Sequence, residues 1–158
     1  LVTQIKPDQV TLVPDAQDAI TSNAGWDTVK HKDFLVEVIG EFKNQGIRTS
    51  IFVDPVGKMV KGAEKTRTDR IELYTEAYAQ KFMINPKKAV FPYTQAAMVA
   101  NDLGIGINAG HDLNLQNIAF FSQNIPNLLE VSIGHALVSE SLYIGFENVI
   151  PMYLQRLS

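Results

Sequence analysis

Cysteine is absent from the 158 residues, which excludes disulfides, thiolate nucleophiles and cysteine-based metal sites at once. Histidine is scarce: His31, His111 and His135 stand far apart with no His-x-x-His spacing, too little for a metal site. No apolar run approaches the roughly 20 residues of a membrane-spanning helix, and no charged-then-apolar leader pattern opens the chain. An excess of positive charge is also missing. Fourteen Lys and Arg face 17 Asp and Glu, a net −3, which argues against nucleic acid or an anionic membrane as partner. There is no low-complexity tract, no interdomain linker and no glycine-rich phosphate loop of the Walker or dinucleotide-binding kind. The first residue is Leu1 rather than Met, so the sequence is expected to begin inside a longer protein. What remains is 46% hydrophobic and 20% charged, the balance of one globular domain over 1–158.

The pattern along the chain alternates between strand and helix. Gln9–Val13 is a short β-rich run ended by Pro14-Asp15. Phe34, Leu35, Val38, Ile39 and Phe42 recur at three- and four-residue spacing, predicting a helix from Lys32 to Asn44 closed by Gly46. Ile47–Val53 reads as the next strand and a weaker helix runs to about Lys65. Arg70–Tyr74 is a third strand, followed by an irregular stretch from Thr75 to Val90 and a helix from about Pro92 to Leu103. Ile105–Asn108 and Leu129–Ile133 complete the strands. Helices are expected over Leu115–Asn124 and Val138–Leu157, the last kinked at Pro151. Five βα units without hairpin signals imply a parallel sheet with helical crossovers. An open doubly wound sheet and part of a (β/α)8 barrel both satisfy this pattern.

Polar residues gather just beyond the strands, where α/β enzymes build their sites. Asp54 reads as a turn or helix N-cap and His31 as a solvated residue. Glu72 interrupts an apolar strand, so it is either paired with Arg70 or Lys81 or kept for chemistry. His111 follows a strand through Asn108-Ala109-Gly110. It is either a structural cap or an imidazole at a ligand rim, able to give and take protons near neutral pH. Gly134-His135 opens the last helical segment, as a simple cap or as an anion site built from helix N-terminal N–H groups.

INAGHDLNLQNI (Ile107–Ile118) and VSIGHALVSESLYIGFENVIPMYL (Val131–Leu154), with IELYTEAYA (Ile71–Ala79), QVTLVPD (Gln9–Asp15) and GIRTSIFVDP (Gly46–Pro55), resemble the pyridoxine 5′-phosphate synthase family over essentially the whole chain. The resemblance implies a (β/α)8 barrel of which this chain carries strands four to eight. It implies condensation of 1-deoxy-D-xylulose 5-phosphate with 3-amino-2-oxopropyl phosphate to pyridoxine 5′-phosphate, releasing phosphate and water without metal or organic cofactor. A cytoplasmic homo-oligomer that binds neither nucleic acid nor membrane goes with it.

By the same resemblance His111 donates protons and Glu72 stabilises charge during ring assembly. Gly134, His135 and the backbone at Asp112 hold the amino-oxopropyl phosphate, and Thr21 contacts deoxyxylulose phosphate. Three residues depart from the common family pattern: Tyr74 and Glu76 replace parts of a His-Thr-Gly, and Asp112 replaces a glycine. The family's first three βα units, with further catalytic and phosphate-gripping residues, are not in this sequence, so these residues alone are expected to be inactive. They are also expected to expose two strand edges, QVTLV and LEVSI, on which Glu130 is the only charge. Two other readings stand beside this one. One is an isomerase or aldolase on a similar barrel, disfavoured because no predicted strand contains a lysine. The other is a sheet that only binds a phosphorylated metabolite.

Overall fold

The computed structural model describes residues 1–15 and 19–158. A short turn of helix, α1 (Val2–Ile5), precedes β1 (Gln9–Leu12), α2 (Lys32–Asn44), β2 (Arg48–Val53), α3 (Gly57–Glu64) and β3 (Arg70–Tyr74). Then come α4 (Glu76–Phe82), α5 (Pro86–Asp102), β4 (Gly106–Gly110), α6 (Ile118–Asn124), β5 (Leu128–Ser132), α7 (His135–Ile144) and α8 (Phe146–Leu157). All strand pairs are parallel, and the spatial order is the chain order, β1 to β5.

That order decides between the two architectures. A doubly wound sheet reverses direction at a switch point; a barrel adds each strand beside the last. The sheet also curls. Four strand spacings would separate β1 from β5 by about 19 Å in a flat sheet. Yet Gln9 on β1 donates from Nε2 to Glu130 on β5 over 3.3 Å. The chain is a partial (β/α)8 barrel of five strands.

Strand alternation sorts the residues onto two faces. Ile51, Val53, Ile71, Leu73, Ile107 and Ala109 point outward and are buried against Leu35, Ile39, Val60, Ala63, Ala96 and Ala100 of the helices. The concave face is polar: Arg70 pairs with Glu130 at 2.6 Å and donates to Asn108 at 3.0 Å, and Arg48 reaches Glu130 at 3.1 Å.

Several expected boundaries move, each for a local reason. The stretch expected to be irregular holds α4 and the first turn of α5. Pro86, not Pro92, takes the first helical turn, capped by Asn85 accepting from the Lys88 N–H at 2.9 Å. Pro92 lies inside α5, which persists because Ala89, Val90, Tyr93, Ala96, Ala97 and Ala100 bury one side of it. The helix expected from Leu115 starts at Ile118, since the Asn114 side chain takes the N–H groups of Gln116 and Asn117. The last helical segment breaks at Gly145 (φ +87°), not at Pro151, which is tolerated within α8. β4 and β5 are displaced by about one residue, to Gly106–Gly110 and Leu128–Ser132. His31, expected to be solvated, packs edge-on against Trp26 at 5.4 Å. Asp54 makes the turn, accepting from Val56 N–H, but is not the cap of α3, whose N-cap is Val56.

Candidate active site

The C-terminal ends of β4 and β5, with the loop after β1, converge on one cleft of about 500 Å³. Thr21, His111, Asp112, Ser132, Gly134 and His135 line it. Three clefts of similar size elsewhere, along the outer edge of β5, between α2 and α3 and between α4 and α5, are lined by no histidine. Among the described residues no three His, Asp or Glu side chains gather as metal ligands.

Glu72 lies beneath this cleft, on the concave face of β3, and is 7% exposed. It does not pair with Arg70 or Lys81, because Arg70 is taken by Glu130 and Asn108. Instead Glu72 accepts from the Thr11 hydroxyl at 3.1 Å. Burial pushes its carboxyl above the ordinary glutamate range. Hydrogen bonds from Thr11 and Ser132 and the nearby His111 pull it down, while Glu130 adds to the rise. Gly110 makes room for this carboxylate: a Cβ there would sit 2.2 Å from Glu72 Oε1. Any side chain at position 110 would therefore displace the acid.

His111 leaves β4 with φ +76° and Asp112 follows with φ +54°, two successive left-handed residues that are not glycine. Thr75 supports the first: its N–H donates to the Gly110 carbonyl at 3.1 Å, and its hydroxyl reaches the carbonyls of Gly110 and His111. Buried Asn117 supports the second, donating from Nδ2 to the Asp112 carbonyl at 3.2 Å. The His111 ring lies with Nε2 2.9 Å from Thr21 Oγ1 and Nδ1 2.8 Å from Asp112 Oδ2. Tyr74 stands edge-on to it at 5.0 Å. The Tyr74 phenol donates to Glu76 at 2.5 Å and also lies 3.0 Å from the Ser22 carbonyl, beside Thr21. Burial and the Glu76 carboxylate raise its pKa, so it stays a neutral donor.

Gly134 is the N-cap of α7 and His135 its first residue, both exposed and with no side-chain cap on the helix. A Cβ at Gly134 would meet nothing within 4 Å, and its φ of −105° suits any residue. Packing does not demand glycine here. Its effect is to leave the N–H groups at the start of α7 open to the cleft, the arrangement that favours an anion.

The residue set read from the sequence thus falls around one place, Glu72 below the floor and the other five on the walls. Thr11, Thr75, Asn117 and Ser132 were not singled out. Their one signal is position: Thr11 and Ser132 share the concave face with Glu72 by alternation, while Thr75 and Asn117 carry no pattern of their own.

The model of the pyridoxal phosphate biosynthesis protein PdxJ family matches residues 1–158. The chain belongs to this family. Among its relatives, the pyridoxine 5′-phosphate synthase of Flavobacterium johnsoniae is 66% identical over 157 residues, covering 99% of this chain and 66% of that protein. That of Porphyromonas gingivalis is 51% identical over 158 residues, covering 100% of this chain and 66% of that protein. The chain therefore spans just under two thirds of the length of these PdxJ-family proteins. Among solved structures, the HMG-CoA lyase from Brucella melitensis superposes with a TM-score of 0.53 at 18% identity, covering 77% of this chain and 47% of that one. That likeness is one of fold.

Proposed function

We propose that the full-length protein is a pyridoxine 5′-phosphate synthase. It condenses 1-deoxy-D-xylulose 5-phosphate with 3-amino-2-oxopropyl phosphate and releases phosphate and water, and residues 1–158 supply the last five of its eight βα units. The observation that carries this reading is the convergence of a buried acid, a rim imidazole and an open helix N-terminus at one end of the partial barrel, in a chain of this family.

The chemistry asks for these groups. Imine formation, phosphate elimination and ring closure each move protons, and His111 is placed to give and take them at Nε2. Glu72, close beneath, supplies negative charge against the cationic species that an aminoketone passes through. Raised by burial, it can also hold a proton when the site needs a neutral acid. The N–H groups of Gly134 and His135 and the His135 ring receive the phosphate of the aminoketone, with the Asp112 backbone alongside. Thr21 meets the deoxyxylulose phosphate. The free edges of β1 and β5 belong in this reading against the first three βα units, in a cytoplasmic homo-oligomer.

Full-length protein supplied with both substrates, and with each singly, tests the reading. Pyridoxine 5′-phosphate should form only when both are present, and residues 1–158 alone should form none. Turnover of one substrate by itself would mark an isomerase or aldolase, and binding without turnover a carrier; either would overturn the proposal.

A further inference from the structure

Neighbouring side chains in extended backbone point to opposite faces, so an aspartate seldom reaches the imidazole just before it. Here it does. The two left-handed residues His111 and Asp112 fold the chain back until Asp112 Oδ2 lies 2.8 Å from His111 Nδ1. Left-handed backbone at two consecutive residues with side chains is costly and persists only where the surroundings impose it. Thr75 and Asn117 impose it, by bonding the carbonyls of Gly110, His111 and Asp112. The second ring nitrogen faces a different partner, the Thr21 hydroxyl at 2.9 Å on the cleft wall. A carboxylate can only accept a hydrogen bond, whereas a hydroxyl can accept or donate. The partners therefore select one tautomer.

We propose that the Asp112 carboxylate is a positioning residue for His111, holding the imidazole proton on Nδ1 so that Nε2 presents its lone pair to the cleft. When Nε2 takes a proton, the same carboxylate faces the resulting imidazolium and steadies it. Tyr74, edge-on at 5.0 Å, limits rotation of the ring. Glu72 is a further acid near this imidazole, but it lies below the ring and no hydrogen bond joins them among the described residues, while Asp15 on the same cleft accepts from the Ser22 hydroxyl. The tautomer follows from the geometry alone; that it serves proton transfer rests on the proposed synthase activity.

The test is made on the full-length protein with ¹⁵N-labelled histidine, the His111 signals being identified by their loss in His111→Asn. At a pH where the ring is neutral, the wild type should show Nδ1 protonated and Nε2 unprotonated. Asp112→Gly removes the carboxylate at a position whose φ of +54° glycine accepts without strain, so the fold is spared. That variant should show both tautomers, and its kcat should fall about tenfold or more while both KM values stay within about threefold. A wild-type ring protonated at Nε2, or a tautomer unchanged in Asp112→Gly, overturns the proposal. So does a kcat loss without any change of tautomer. A changed tautomer with unchanged kcat upholds the positioning and instead removes His111 from the proposed reaction.

Discussion

The two faces of the sheet are built on opposite terms. The convex face presents Ile51, Val53, Ile71, Leu73 and Ile107, all at or near zero exposure, to an alanine-rich helical layer. Each such side chain gains on the order of 1.5–3 kcal/mol from burial, and little beyond shape is asked of it. The concave face has few apolar groups to bury. Its residues satisfy one another instead: Gln9, Arg48, Arg70, Asn108 and Glu130 in one layer, and Thr11, Glu72 and Ser132 in the next. Of all buried side-chain polar atoms among the described residues, only Ser50 Oγ lacks a partner. Apolar packing resides on one side of the strands and the polar network of the candidate site on the other, one residue apart.

Four substitutions break or sharpen that contrast, the largest effect first. On the concave side, His111→Asn in the full-length protein should lower kcat by about 10²–10⁴ while KM changes far less, because the titrating group is gone but a polar side chain remains. Urea denaturation should show its stability little altered. On the convex side, Ile71→Ala should do the reverse. Emptying a fully buried site costs about 2–5 kcal/mol, read as a lower urea midpoint, with KM preserved in the protein that remains folded. His135→Ala at the exposed start of α7 should raise KM for the aminoketone phosphate about tenfold, with kcat held within about threefold; an unchanged KM would place the phosphate elsewhere.

The smallest effect is expected from Glu72→Gln, measured as stability against pH. Burial raises the Glu72 carboxyl above its ordinary range, so the folded state binds this proton more tightly than the unfolded chain does. The stability linked to that proton is fully present at pH values below ordinary glutamate titration, about 4.3, and is lost as pH rises through the raised value. Glutamine never ionises. The variant should therefore gain on the wild type in Tm as pH climbs from about 4 toward neutrality, while losing activity. A constant difference across that range would mean that Glu72 ionises normally.

How much of this could be read beforehand follows the range of the interactions. The helix Lys32–Asn44 and the strand Arg70–Tyr74 are matched residue for residue by local periodicity, since each is decided by its own apolar spacing. The break at Gly145 was obscured because Pro151, inside α8, is the louder local signal, although it is the glycine at φ +87° that ends the preceding helix. The curl of the sheet has no local signature. It rests on contacts such as Gln9 with Glu130, 121 residues apart, and only the family resemblance anticipated it. Arg70 as a partner for Glu72 was reasonable from strand neighbours on one face; Glu130, brought over by β5, takes that arginine instead. At the site, His111 and Gly134-His135 were legible as small-residue turns after strands. Thr75 and Asn117 were not, because a residue that only holds a backbone carbonyl looks like any other threonine or asparagine.

The central claim, that the concave end of this partial barrel is the reacting face, is tested most directly by a crystal structure of the full-length protein with bound inorganic phosphate, a product of the proposed reaction. Phosphate should lie against the N–H groups of Gly134 and His135 at the start of α7, with His111 Nε2 turned toward the same cleft. Phosphate bound only at the convex face, such as among Lys32, Lys58, Lys61 and Lys65 between α2 and α3, with the start of α7 covered by other side chains, would contradict it.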